Sequence, residues 1–130
     1  MRLLLDTHIF LWSVWEPSRL KPEVAAVISD RANGLLISAA TPWEIAMKHR
    51  AGKLSDAEPI VLAFPEYLDR LGAIELPITS RHAIAAGQLE WAHKDPFDRM
   101  LAAQCILEGL TLVTSDEAFR SISGVQTLWA

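Results

Sequence analysis

The chain is poor in cysteine, with one, Cys105, in 130 residues. A single thiol excludes an intrachain disulfide framework and fits a reducing compartment, so a cytoplasmic protein is expected. Long apolar runs are also missing. The longest stretch without a charged residue, Ala32 to Trp43, falls far short of the roughly 18 apolar residues that a bilayer-spanning helix needs. The apolar start, MRLLLDTHIF, is interrupted by Asp6 and His8 and no small-residue cleavage site follows, which argues against a signal peptide. No low-complexity tract, internal repeat or dividing linker is present, so residues 1–130 are expected to form one domain. Positive charge is not in excess either. With 12 Lys and Arg against 16 Asp and Glu, the net charge is −4, which weighs against a broad basic coat for nucleic acid.

What is present is globular in character: 51% apolar and 22% charged residues, in a length able to bury a core without staples. Short apolar runs alternate with helical stretches. Arg2 to Leu5 reads as a buried strand and Thr7 to Trp15 as a helix. Pro22 suits the first turn of a helix to about Ala32, which Asn33-Gly34 ends before a second strand, Leu35 to Ser38. Thr41-Pro42-Trp43-Glu44 starts a helix closed by Gly52, and Glu58 to Leu71 is helical in pattern, with Pro65 kinking it, splitting it or starting a new helix. Ala73 to Leu76 is a third strand, followed by a helix over Ser80 to Glu90. Asp95-Pro96-Phe97-Asp98 opens a helix that Gly109 stops after Glu108. Strands at Leu110 to Thr114 and Val125 to Leu128 flank a short helix at Glu117 to Arg120. Strands joined by such crossovers imply a parallel sheet covered on both faces, a three-layer α/β domain.

Four acids recur at equivalent places in this pattern. Asp6 follows the first strand and Asp116 the fourth, Glu44 lies in the first turn after the second strand, and Asp98 opens the helix before the fourth. Loops leaving the C-terminal ends of parallel strands share one edge, where ligands bind at the switch in strand order. Each acid also has a plainer use. Thr41-x-x-Glu44 has the form of a capping box, and Glu44 can pair with Lys48 at i,i+4. Asp6 and Asp116 can cap the helices they precede. Asp95 is the better cap of its helix, which leaves Asp98 heading a stripe of Leu101, Ala102 and Cys105 that points inward. Converging carboxylates repel by several kcal/mol unless a cation neutralises them. Oxygen ligands without clustered Cys or His suit Mg²⁺ or Mn²⁺, which activate water for attack on a phosphodiester.

With these residues in view, the chain resembles the PIN-domain ribonucleases, specifically the VapC-type toxin half of bacterial toxin–antitoxin pairs. The segments LLLDTHIFLW, ISAATPWEIAMKHRAGKL, LPIT, KDPFDRMLAAQ and LTLVTSD carry the resemblance, which spans nearly the whole chain. It implies a five-stranded parallel sheet, one or two Mg²⁺ or Mn²⁺ ions and endonucleolytic cleavage of RNA. The family's acidic positions fall on Asp6, Glu44, Asp98 and Asp116, with Asp95 beside them as helix cap. Its accompanying polar positions fall on Thr7 and Ser115. It further implies a cognate VapB-like antitoxin occupying the cleft, and a homodimer, the commonest closed assembly.

Other residues bear on this expectation. Arg99 adjoins Asp98 and has two readings, a phosphate contact or a partner for an acid. Lys48, Arg50 and Lys53 form a basic cluster after Glu44, either a solvated helix face or an RNA contact. His8 reads as a helix-surface or packing residue. Of five Trp, Trp12, Trp43 and Trp129 lie in apolar runs and read as core, whereas Trp15 and Trp91 border loops where a partner can dock. An aspartyl-phosphate enzyme is the first alternative, but Asp6-Thr7-His8 lacks the second Asp such phosphatases need, and no adjacent acidic pair marks a receiver domain. A non-catalytic PIN-like interaction module is the other, and the intact carboxylate set counts against it. Setting the four proposed ligands aside leaves 12 residues of each sign, so RNA affinity is expected from metal-bridged phosphates and a local basic patch.

Overall fold

The computed structural model describes residues Met1–Ala130. Five strands, β1 (Arg2–Leu5), β2 (Gly34–Ser38), β3 (Ala73–Leu76), β4 (Thr111–Thr114) and β5 (Gln126–Trp129), form one sheet in the order β3-β2-β1-β4-β5. Every pairing is parallel, with Leu4 opposite Leu36 on one side and Leu112 on the other. The helices are α1 (Thr7–Trp15), α2 (Pro22–Ser29), α3 (Ala40–Arg50), α4 (Glu58–Leu62), α5 (Phe64–Leu71), α6 (Ser80–Gln88) and α7 (Pro96–Glu108). Three single 3₁₀ turns occupy Pro17–Arg19, Ser55–Ala57 and Glu117–Ser121.

The pleat of the sheet divides the core. Leu3 and Leu5 of β1, Leu35 and Ile37 of β2 and Val113 of β4 face a layer built on α1, α2, α4 and α5, where Phe10, Val24 and Ile60 are buried. Leu4 and Leu112 face the opposite layer, where Leu101, Ala102 and Cys105 of α7 close over them. β1 is buried on both faces, and this is why Leu3-Leu4-Leu5 shows no polar alternation. The expected three-layer α/β architecture is the one observed.

Local chemistry sets the element ends, including those that differ from expectation. α2 stops at Ser29 rather than near Ala32 because Asp30 Oδ1 accepts the Ala32 N–H at 2.9 Å and Asn33 Nδ2 donates to the Val27 carbonyl at 2.9 Å, a side-chain-tied turn. α3 starts at Ala40, two residues earlier than expected from Pro42 at the first helical position. Pro42 then sits third, where its missing N–H is one the helix leaves unpaired anyway. Pro65 splits Glu58–Leu71 into α4 and α5. α7 ends at Gly109, whose φ of +65° needs glycine, and whose N–H returns to Cys105 O. Trp43, read as core, is instead 59% exposed. It lies on the outer face of α3, edge-on to Phe97 with ring centroids 4.7 Å apart. Trp12 and Trp129 pack against the cores as partly buried rings. No helix is long and apolar enough to cross a membrane.

Candidate active site

The strand order makes β1 and β4 neighbours whose outgoing chains run opposite ways, β1 toward β2 and β4 toward β5. The crevice this opens lies at the C-terminal strand ends. Asp6 leaves β1 there as the N-cap of α1. Its backbone N–H donates to Val113 O at 3.0 Å, extending the ladder by a residue, and its Oδ1 accepts the Ile9 N–H at 3.0 Å. Oδ2 accepts a hydrogen bond from the Thr114 hydroxyl at the end of β4. Asp6 is buried, and burial raises its pKa above the ordinary carboxylate value. The bonds from Thr114 and Ile9 and the charge of His8 oppose the shift, and the charge of Asp116 adds to it.

Glu44 is also buried, one turn into α3. It forms no capping box: α3 has begun before Thr41, whose own hydroxyl is unpaired. The carboxylate instead crosses to α1, where the Thr7 hydroxyl donates to Oε1 at 2.5 Å, and takes Lys48 Nζ on Oε2 at 2.6 Å. The i,i+4 pairing expected from spacing is therefore present, within the site rather than on a solvated face.

Asp95 caps α7, accepting the N–H groups of Phe97 at 2.8 Å and Asp98 at 3.2 Å. This directs the start of α7 at the crevice and Asp98 into it. Asp98 Oδ2 accepts His93 Nε2–H at 2.6 Å. Desolvation raises its pKa to about 6 against the pull of the His93 bond, and Asp95 and Asp116 push it the same way as burial. Asp116 caps the last 3₁₀ turn through the Ala118 N–H at 2.9 Å and stays exposed.

Asp6, Thr7, Glu44, Lys48, Asp95, Asp98 and Asp116, with exposed His8, line one small hollow of about 90 Å³ that has no apolar wall. The four acids read from strand and helix ends are thus brought together. A larger hollow of about 340 Å³ lies at the opposite sheet end, between the turns before β2 and β3, and carries no such cluster. As the side chains stand, no three carboxylates or imidazoles surround one point at coordinating distance. Each acid is held by a neighbour: Asp6 by Thr114, Glu44 by Thr7 and Lys48, Asp98 by His93, Asp116 by Ala118. The donors are nevertheless all oxygen, and burial and mutual repulsion disfavour the ionised form of two of them, the chemistry that a hard divalent cation relieves.

Two accompanying residues stand elsewhere than expected. Ser115 is exposed and outside the hollow. The hydroxyl that reaches an acid belongs to Thr114, because alternation along β4 turns Thr114 inward and Ser115 out. Arg99 neither pairs with an acid nor faces the hollow. Its guanidinium is consumed by four main-chain carbonyls, those of Ala86, Leu89, Trp91 and His93. Arg50, the last residue of α3, and Lys53 beyond it are exposed, whereas Lys48 turns in to Glu44. Thr114 and His93 escaped sequence reading, the first as a strand residue and the second as a loop histidine five residues before its partner.

Carboxylates gathered over the switch point of a five-stranded parallel sheet define an acid-cleft α/β domain. Residues 3–125 match the PIN domain pattern, and the chain belongs to the PIN-domain family. It is similar to Ribonuclease VapC22 of Mycobacterium tuberculosis, 31% identical over 124 residues that cover 92% of this chain and 90% of that protein. It is also similar to Ribonuclease VapC16 of the same organism, 38% identical over 60 residues, 46% of this chain and 43% of that relative, so this match spans less than half of VapC16. In fold it is similar to VapBC2 from Rickettsia felis, solved bound to a promoter DNA fragment, with a TM-score of 0.74 at 18% identity over 99% of this chain and 98% of that one. DNA-bound VapBC from Salmonella typhimurium gives a TM-score of 0.72 at 20% identity over the same shares.

Proposed function

We propose that this protein is a metal-dependent endoribonuclease acting as the toxin of a bacterial toxin–antitoxin pair. The observation that carries the reading is the convergence of Asp6, Glu44, Asp98 and Asp116 on one hollow at the switch point. Kinship with ribonucleases of the VapC group over most of the chain supports it. Mg²⁺ or Mn²⁺, as one or two ions held by those four carboxylates, would supply positive charge opposite the scissile phosphate and lower the pKa of an attacking water. The chain's own residues prepare the place. Thr7 fixes the Glu44 carboxylate, Asp95 aims the first turn of α7, and Thr114 orients Asp6. Lys48, Arg50 and Lys53 lie along and beyond α3, where they suit phosphates of an RNA strand entering the hollow.

The acid cleft also suits a cationic segment of a partner, and the proposed partner is a VapB-like antitoxin that covers it. Structures of similar fold are VapBC assemblies. We read residues 1–130 as one domain, the assembly as a homodimer and the compartment as cytoplasmic, in line with a lone buried thiol. The deciding experiment incubates purified protein with structured and unstructured RNAs in Mg²⁺, Mn²⁺ or EDTA and maps the cuts. Discrete internal cuts that require the divalent ion are expected. Undiminished cleavage in excess EDTA, or none under any condition, overturns the reading.

A further inference from the structure

The segment between α6 and α7 carries no regular secondary structure, yet a single side chain ties it down at several points. Arg99, in the first turns of α7, reaches back across it. Nε donates to Ala86 O at 3.0 Å, Nη2 to Leu89 O at 2.8 Å, and Nη1 to Trp91 O at 2.8 Å and His93 O at 3.0 Å. One planar guanidinium thus satisfies the carbonyls at the frayed end of α6 and fastens the following turn to the helix that bears Asp98. These bonds also account for α6 ending at Gln88, short of the expected Glu90.

The side chain delivered by this fastening is His93. Its ring rests on Trp91 with centroids 4.8 Å apart. Trp91 is in turn anchored by its Nε1–H to Ser121 Oγ at 2.9 Å and lies against Phe119. Tilted ring contact and backbone clamp together leave the imidazole one polar contact, Nε2–H to Asp98 Oδ2 at 2.6 Å. A carboxylate in a first helical turn has several rotamers open to it. A charge-assisted bond from a ring held against Trp91 on a fastened backbone selects one.

We propose that His93 is the positioning residue for Asp98, held by Arg99, and that it presets the cation affinity of the acidic hollow. This rests on the metal-nuclease reading above. Carboxylates that bind metals are themselves commonly oriented by an outer hydrogen bond, and losing such a partner lowers metal affinity by about 10- to 100-fold. A histidine present only for packing would be replaceable by an aromatic ring without an N–H.

The test is calorimetric titration of the full chain with Mn²⁺, alongside RNA cleavage as a function of Mn²⁺ concentration. His93→Phe keeps a ring against Trp91 and removes the donor; His93→Gln removes the ring and supplies an amide N–H of similar reach. His93→Phe is expected to bind Mn²⁺ about 10- to 100-fold more weakly, with cleavage near the wild-type rate once Mn²⁺ saturates. His93→Gln should recover most of the affinity. Arg99→Lys, which offers one ammonium to four carbonyls, should lose affinity while His93 itself is intact. Wild-type affinity in His93→Phe, with wild-type protein binding Mn²⁺ and cutting RNA, overturns this inference alone. Wild-type protein that binds no Mn²⁺ overturns it together with the metal reading of the site.

Discussion

Thr114, the last residue of β4, donates its hydroxyl proton to Asp6, the first residue after β1, and so joins the two strand ends that flank the switch point. The same oxygen accepts the Asp116 N–H at 3.0 Å. One fully buried hydroxyl thereby orients one acid and sets the turn that presents another. Replacing Thr114 by valine keeps the shape and removes both bonds. The buried Asp6 carboxylate is then short of a donor, and the protein should lose about 1–3 kcal/mol in urea unfolding at neutral pH. Thr114→Ser should retain most of it. Equal stability of the valine variant would show that the bond contributes nothing net.

Asp6→Asn and Asp98→Asn each keep the side-chain shape and remove one charge from the hollow. Both should lower Mg²⁺-dependent RNA cleavage by about a hundredfold or more, the effect of removing transition-state charge stabilisation of a few kcal/mol. Both should also keep a cooperative unfolding transition. Full activity in either variant would remove that acid from the proposed mechanism.

Stability should carry the signature of the crowded acids. Asp98 titrates at about 6 in the fold against an ordinary 3.8, because desolvation outweighs its bond from His93. The folded state therefore holds this proton more tightly than the unfolded chain. The stability this gives is complete below about pH 4 and is lost as pH rises through about 6. Asp6 shifts in the same direction. In EDTA, Asp98→Asn should gain stability relative to wild type between about pH 4 and pH 7. Mn²⁺ added at neutral pH should raise the wild-type melting temperature more than that of the variant. A difference between the two that is flat with pH would contradict the burial argument.

Lys48 occupies the hollow as an internal cation, with its ammonium 2.6 Å from Glu44 and its side chain one-third exposed. A like charge opposes an incoming ion. Lys48→Met should therefore tighten Mn²⁺ binding by about three- to tenfold, as expected for roughly 1 kcal/mol of partly screened repulsion. RNA affinity in the absence of metal should fall in the same variant. Weaker Mn²⁺ binding would mean that Lys48 organises Glu44 rather than competing for it.

Much of this was legible in the chain because its signals are local. Asp95-Pro96 and Gly109 bracket α7, and Leu3-Leu4-Leu5 without alternation announces a doubly covered strand. The placement of the acids at strand ends and first helical turns followed from those elements. Part of what escaped depends on contacts distant in sequence, and part on which way a loop or helix turns a side chain whose partner is near, as with His93 and Asp98. The choice of Thr114 over Ser115 depends on which face of β4 meets Asp6, 108 residues away. Glu44 has the spacing of a capping box, and only the earlier start of α3 frees it for Thr7, 37 residues away. Arg99 beside Asp98 invited an electrostatic reading, but adjacent helical positions face about 100° apart, and the guanidinium found carbonyls on the other side. Trp43 sits in an apolar run, yet the helix turns it outward.

The strand order has a consequence for the newly made protein. Asp6 emerges from the ribosome early, but Asp98 and Asp116 reach it only when α7 and β4 have been synthesised and β4 has docked beside β1. No locally folded piece of the nascent chain holds the four acids at once. A chain cut short before residue 116 therefore lacks the assembled four-acid hollow altogether, rather than holding a looser version of it.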